Sequence, residues 1–258
     1  MRLTNGYFKK FKSSIMNKRI VIFFCLLLSL KLYSQSEQNI DSLVNCKARK
    51  QIVTIGLAGT YATAMTGLYQ LWYADYPQSK FHFFNDNKEW LQMDKAGHMF
   101  TSYMLGSVGH QLLNYACTND KKSIFIGGSV GLIFLTTVEI FDGFSAEWGA
   151  SWGDVIANTL GYGLFVGQQY FFDEQIVKYK FSFSPSPYAK YRPELLGKNI
   201  YTQLLKDYNA QTYWFSFHPE IFSCKKSENI IPDWINISLG YSADGMLGGF
   251  ENPKNFSS

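Results

Sequence analysis

Residues 94–115 read "DKAGHMFTSYMLGSVGHQLLNY", with no Asp, Glu, Lys or Arg after Lys95. The run predicts a helix of about 22 residues that opens on an acid, a base and an imidazole and then turns apolar. Asp94 and His98 are four apart and share one face, which Thr101, Ser102 and Leu105 continue. Two readings follow. Asp94 caps the helix N-terminus, where a carboxylate accepts backbone N–H bonds and favours the dipole, or it joins His98 in a polar site.

Three further segments read as charge-poor helices. Gln51–Ala74 carries no charge over 24 residues, and Gly59, Thr63 and Gly67 recur every fourth position. Small residues at that spacing predict close approach of a second helix. Ser123 to about Phe141 repeats the device with Gly127 and Gly131, and Trp152–Phe172 with Gly163 and Gly167. The short connection "CTNDKK", 117–122, predicts an antiparallel pair. The fold expected is mainly α, a bundle of about four apolar helices with a small mixed or β-rich C-terminal extension.

Polar residues recur at one end of that bundle. The third helix ends in "VEIFDGFS", with Glu139 and Asp142 three apart, and the fourth opens on "SWGDVIANTLG", with Ser151 as cap and Asp154 and Asn158 four apart. Alternating helix direction brings these ends to one level. The candidate site is therefore Asp94, Lys95, His98, Glu139, Asp142, Ser151, Asp154 and Asn158. Buried carboxylates need partners, which Lys95, a protonated His98 and Asn158 supply. A polar lock fixing helix register, a site for a lipid or cell-wall intermediate, a divalent-cation site, a membrane hydrolase or transferase with His98 as general base and an ion or proton pathway all remain open. No metal, catalytic residue or cofactor is assigned.

The N-terminus predicts export. Basic residues through Arg19, the apolar "IVIFFCLLLSL" at 20–30 and a polar exit "YSQS" make a secretory signal over 1–35, the alternative being an uncleaved anchor helix. Phe23 and Phe24 precede Cys25, a poor context for lipid attachment. Seven of the 24 Lys and Arg and none of the 20 acids lie in 1–35, so the rest of the chain carries a net charge of −3. That balance leaves no basic footprint for nucleic acid. Aromatic residues make up 17% of the chain and charged residues only 17%, below the roughly 25% of soluble domains, so membrane lipid or envelope components are the expected partners. Cys46, Cys117 and Cys224 specify no disulfide framework or zinc site, although an oxidising compartment permits one bridge.

The domain division expected is signal 1–35, bundle 45–177, an extended linker 178–199 rich in Pro, Ser, Tyr and Lys, and a small C-terminal region 200–258. In the last, Ile200–Tyr208 reads as a short helix, while "QTYWFSFHPEIF" and "WINISLGYSADGML" alternate as strands do. "GGSVG" at Gly127 lacks the lysine and strand of a phosphate loop, and no hydrolase elbow is present. Charges confined to helix ends permit the helices to span a membrane, whereas the short third and fourth uncharged runs and a mean hydropathy of −0.11 favour a buried helical core lying beside one.

"DKAGH", Glu139 with Asp142, and Ser151, Asp154, Asn158 and Gly161 resemble the D-K-x-x-H, E-x-x-Q and S-x-x-D-x-x-x-N-x-x-G pattern of VanZ-like membrane proteins. The stretch from about 45 to 250, including "DYNAQTYWFS" and "GYSADGMLGG", is similar to a family of predicted periplasmic lipoproteins typified by YfiM. The resemblance implies an envelope location and no defined reaction. Two departures separate this chain from the VanZ-like pattern. Trp148, Gly149 and Ala150 stand where an arginine is expected, and Asp142 replaces the glutamine.

Overall fold

A computed structural model describes residues 42–219, 232 and 234–254. The signal segment and Cys224 lie outside the described residues. The described chain is mainly helical, with a three-stranded antiparallel sheet towards its C-terminus. Four long helices follow in order: α1 (Ser42–Leu68), prolonged by a wide turn at Tyr69–Tyr73, α2 (Met93–Tyr115), α3 (Asp120–Phe144) and α4 (Trp152–Phe172).

Close packing of α2, α3 and α4 follows from glycine on facing surfaces. A Cβ on Gly106 would lie 2.7 Å from the Gly128 carbonyl oxygen, and one on Gly161 would collide with the Met99 carbonyl and lie 2.8 Å from Ser102 Cβ. Backbones therefore touch where α2 crosses its two partners.

The stripe on α1 behaves differently from the expectation. Gly59 and Gly67 meet nothing within 4 Å, and the Thr63 hydroxyl donates to the Gly59 carbonyl of its own helix. Gly163 and Gly167 of α4 also face open space. Spacing marks a face of small residues without saying what covers it. What holds α1 instead is a Cys46–Cys117 disulfide at one end and aromatic contacts with α3 further along. Tyr61 packs edge-on to Phe134 and bonds Thr137, and Tyr69 and Tyr73 pack on Phe141.

The segment expected as a linker contains strand β1 (Val177–Phe183), a correction with a plain cause. Its alternating "VKYKFSF" buries Tyr179 and Phe181 against α2 while Lys178 and Lys180 face outward. The short helices α5 (Pro193–Leu196) and α6 (Ile200–Lys206) follow, then β2 (Gln211–Phe217) and β3 (Ile237–Ser242). In register, Tyr179 faces Phe215 and Phe181 faces Tyr213, while Tyr213 faces Tyr241 and Phe215 faces Leu239. One sheet face is thus apolar and aromatic apart from Gln211 at its end, which accepts from the Tyr213 hydroxyl. Its β1–β2 half shares a core with Met93, Tyr103 and Phe165, so the C-terminal region is no separate body. The β3 half overhangs, leaving Leu239 65% exposed.

Candidate functional site

The loop from 75 to 92 is strapped across the α3–α4 connection. Phe84 N–H donates to the Ala150 carbonyl at 3.0 Å, Ala150 N–H donates to His82 at 3.0 Å, and Ser79 N–H donates to Phe144 at 2.8 Å. This strap delivers Asp86 to the bundle end. Trp90, Leu91 and Gln92 then turn left-handed, with φ of 48°, 49° and 61°, immediately before α2. Non-glycine residues pay roughly 1–2 kcal/mol each for that conformation. The C-terminal segment holds it: Trp90 N–H donates to the Gly249 carbonyl at 2.7 Å, and the Tyr241 hydroxyl donates to the Leu91 carbonyl at 2.6 Å.

Seven of the eight predicted residues come together directly. Lys95 Nζ lies 2.6 Å from Asp86, 2.8 Å from Asp154 and 3.3 Å from Asp94, with only 12% of its side chain exposed. His98 Nδ1 is 3.0 Å from Asn158 Oδ1 and 3.7 Å from Glu139 Oε1. Its Nε2 faces Asp94 Oδ1 at 3.8 Å and Asp154 Oδ1 at 3.9 Å. Ser151 ties the shell together. Its N–H donates to Glu139 Oε2 at 2.9 Å, its hydroxyl donates to Asp86 Oδ1 at 2.6 Å, and its Oγ accepts the Asp154 N–H as the cap of α4. Asp142, the eighth, points away to Tyr73, whose hydroxyl donates to it at 2.6 Å.

Burial and mutual charge set the protonation states. Burial works against a charged His98, but Asp94, Asp154 and Glu139 outweigh it and raise its affinity for a proton. Burial likewise opposes ionisation of Asp94, yet His98, Lys95 and the Tyr208 hydroxyl hold it below its ordinary value. Desolvation and the Asp94 charge push Asp154 the other way, upward, against the pull of His98 and Lys95. Lys95 is held charged by Asp94 and Asp154 despite its burial. Asp142 is pushed up to about 7, by burial first and then by Glu139.

Three partners escaped the sequence reading. Asp86 sits in an aperiodic loop, Tyr208 donates to Asp94 Oδ1 at 2.6 Å from 114 positions away, and Tyr73 ends α1. No spacing rule reaches them, because tertiary packing alone places them. Ser102 was legible as part of the α2 stripe, and its hydroxyl donates to the Asn158 carbonyl at 2.7 Å.

Beside the cluster an open groove of about 420 Å³ lies between α2, α4 and the apolar face of the sheet, with Lys95, Met99, Leu160, Phe215 and Leu239 along it. Among the described residues, α3 is the one helix long and apolar enough to cross a membrane.

Residues 82–168 match the family model described as "Predicted periplasmic lipoprotein (DUF2279)". No curated protein and no solved structure matches the chain. The matched segment contains all eight predicted residues and Asp86, and stops before the sheet. A disulfide between Cys46 and Cys117 accords with an oxidising compartment. The chain is thus similar to predicted periplasmic lipoproteins over residues 82–168, and it is an exported, envelope-associated protein.

Proposed function

We propose that the bundle lies on a membrane surface by an apolar flank and receives the apolar part of a lipid or lipid-linked envelope intermediate in the groove beside the cluster. The carrying observation is the flank itself. Ile126, Ile133 and Ile140 of α3 and Trp152, Ile156 and Leu160 of α4 are all exposed. Aromatic rings link the two helices at both ends. Phe144 meets Phe81, Phe81 meets Phe83 and Phe83 stacks on Trp152 at 4.9 Å, while Phe125 meets Tyr170 at the far end. Exposed apolar surface of this extent marks an interaction site, and aromatic rings suit a membrane interface.

Lying on the surface fits better than spanning. β1 packs along α2 at Ala96–Tyr103, in the N-terminal half of that helix, and its outer face carries exposed Lys178 and Lys180. Open strand edges and two ammonium groups at that depth are incompatible with hydrocarbon. The sheet therefore faces water and the α3–α4 flank faces lipid. The kinship with VanZ-like proteins, on this reading, resides in the polar constellation alone. Carboxyl groups outnumber cations around Lys95 and His98, so the cluster repels an anionic headgroup, and an apolar chain in the groove is the recognised element.

Flotation of the mature protein with phosphatidylethanolamine–phosphatidylglycerol vesicles tests this. Binding is expected for the native chain and for Lys178→Glu/Lys180→Glu, and is lost in Ile133→Glu/Ile140→Glu. A protein that stays below the vesicles as a stable dimer would make the flank an interface between copies and overturn the membrane reading.

A further inference from the structure

We propose that Asp94, His98 and Asp154 form a binding site for one divalent transition-metal ion, independently of how the flank is covered. One ligand atom from each residue lies within 4.8 Å of the other two. The orientation of His98 is the second element. Its Nδ1 is 3.0 Å from the Asn158 carbonyl oxygen, an acceptor, so Nδ1 carries the proton. In the neutral ring Nε2 is then a bare lone pair, and it points at Asp94 Oδ1 and Asp154 Oδ1, 3.8 and 3.9 Å away. Those distances are too long for hydrogen bonds. They suit an ion between the three atoms, with each donor closing in by a few tenths of an ångström to reach the ~2.0–2.2 Å of zinc–nitrogen and zinc–oxygen bonds. A histidine that donates its other ring nitrogen to a fixed carbonyl is how proteins orient metal-binding imidazoles.

A second observation is Asp154 Oδ1 itself, buried on a residue 4% exposed, without a hydrogen-bond partner beyond its ion pair with Lys95, and facing Nε2. Glu139 Oε1 and Asn158 Nδ2 are buried without a hydrogen-bond partner, on residues only 4% and 1% exposed. Both flank His98, and buried polar atoms of this kind are normally satisfied by protein or by ordered water. Charge agrees. Asp86, Asp94, Asp154 and Glu139 surround a single ammonium, and Lys95 remains tied to Asp86 at 2.6 Å when Asp154 turns to an ion. One imidazole nitrogen with two carboxylates selects zinc, manganese, cobalt or ferrous iron over magnesium or calcium, which prefer all-oxygen shells.

The rival occupant of the space is a proton, an imidazolium at His98 facing both carboxylates. Chelator-dialysed mature protein titrated calorimetrically with zinc sulfate or manganese chloride at neutral pH separates the two. One ion per chain is expected, with a rise in melting temperature and no response to magnesium chloride. His98→Gln and Asp154→Asn, each checked for native circular dichroism, are expected to weaken binding at least tenfold, and Asp142→Asn, which lies on Tyr73, to leave it intact. Absence of binding to the native protein at millimolar zinc or manganese overturns the proposal. So does undiminished binding in both folded ligand variants, which would place the ion on the surface. If the ligand variants fail to fold, an unaltered melting temperature of the native chain on adding and then chelating zinc overturns it equally.

Discussion

His98 on α2 and Asn158 on α4 are joined by a 3.0 Å contact between imidazole Nδ1 and the amide oxygen, while Ser102 one turn further along α2 donates to the backbone of that same asparagine at 2.7 Å. The two bonds fix the register of the helix pair at the point where Gly161 lets the backbones touch. Geometry at the cluster and close packing are one feature.

Lys95 is the centre of charge balance, because three carboxylates converge on it. Lys95→Met is expected to lower stability by roughly 3–5 kcal/mol, the usual cost of stripping one partner from a buried ionic group. Urea unfolding at pH 7 measures it. A cost below about 1 kcal/mol, the range of exposed ion pairs, would show that the ammonium is solvated.

Glycines of the same spacing should differ sharply in tolerance. Gly161→Ala forces its Cβ into Met99 and Ser102 of α2 and is expected to cost about 1–3 kcal/mol, as overpacking does. Gly167→Ala, with nothing within 4 Å, is expected to stabilise by up to about 1 kcal/mol through helix propensity. Paired melting curves decide it, and equal effects would remove the close crossing of α2 and α4.

Stability should fall as pH rises from about 5 to 8. The folded chain retains a proton on Asp142, pushed up to about 7, that the unfolded chain loses near the ordinary carboxylate value. The stabilisation is therefore present at acid pH and lost as pH passes through about 7. His98, raised as well, acts in the same direction. Each tenfold change in proton affinity is worth about 1.4 kcal/mol. Melting temperature against pH should flatten in Asp142→Asn, and an unchanged slope would rule this carboxyl out as the source.

Reduction of Cys46–Cys117 should loosen α1 selectively. The bridge closes a separation of 71 residues, worth about 4 kcal/mol by the chain-entropy model. Beyond the bridge, α1 is anchored by Tyr61, Tyr69 and Tyr73, by buried Val53 and Met65 and by Arg49 over the Tyr115 ring, while most of its other side chains are exposed. Limited proteolysis with reductant should cut within 51–74 while α2–α4 persist, and uniform resistance would mean that aromatic contacts alone suffice.

Much of the bundle was legible because charge-poor runs, caps and turn lengths are local properties. The same holds for the convergence of Asp94, His98, Asp154 and Asn158, which needs only four-residue spacing and alternating helix direction. Asp86, Tyr73 and Tyr208 were not legible, since a loop and two distant aromatics enter through tertiary packing. Asp142 shares a helical face with Glu139 by spacing, yet the Tyr73 hydroxyl draws it elsewhere. β1 was hidden because "KYKFSFSPSP" combines a strand's alternation with a linker's composition. Only its aromatic partners on α2 decide between them.

The most direct test of membrane docking by the α3–α4 flank places an environment-sensitive fluorophore at Ile133→Cys and, separately, at Lys180→Cys, both in a Cys224→Ser background, with vesicles added. A blue shift at position 133 and none at position 180 is the predicted result. Shifts at both positions would place the sheet in hydrocarbon as well, and a shift at neither would leave the flank without lipid; either contradicts docking by this face.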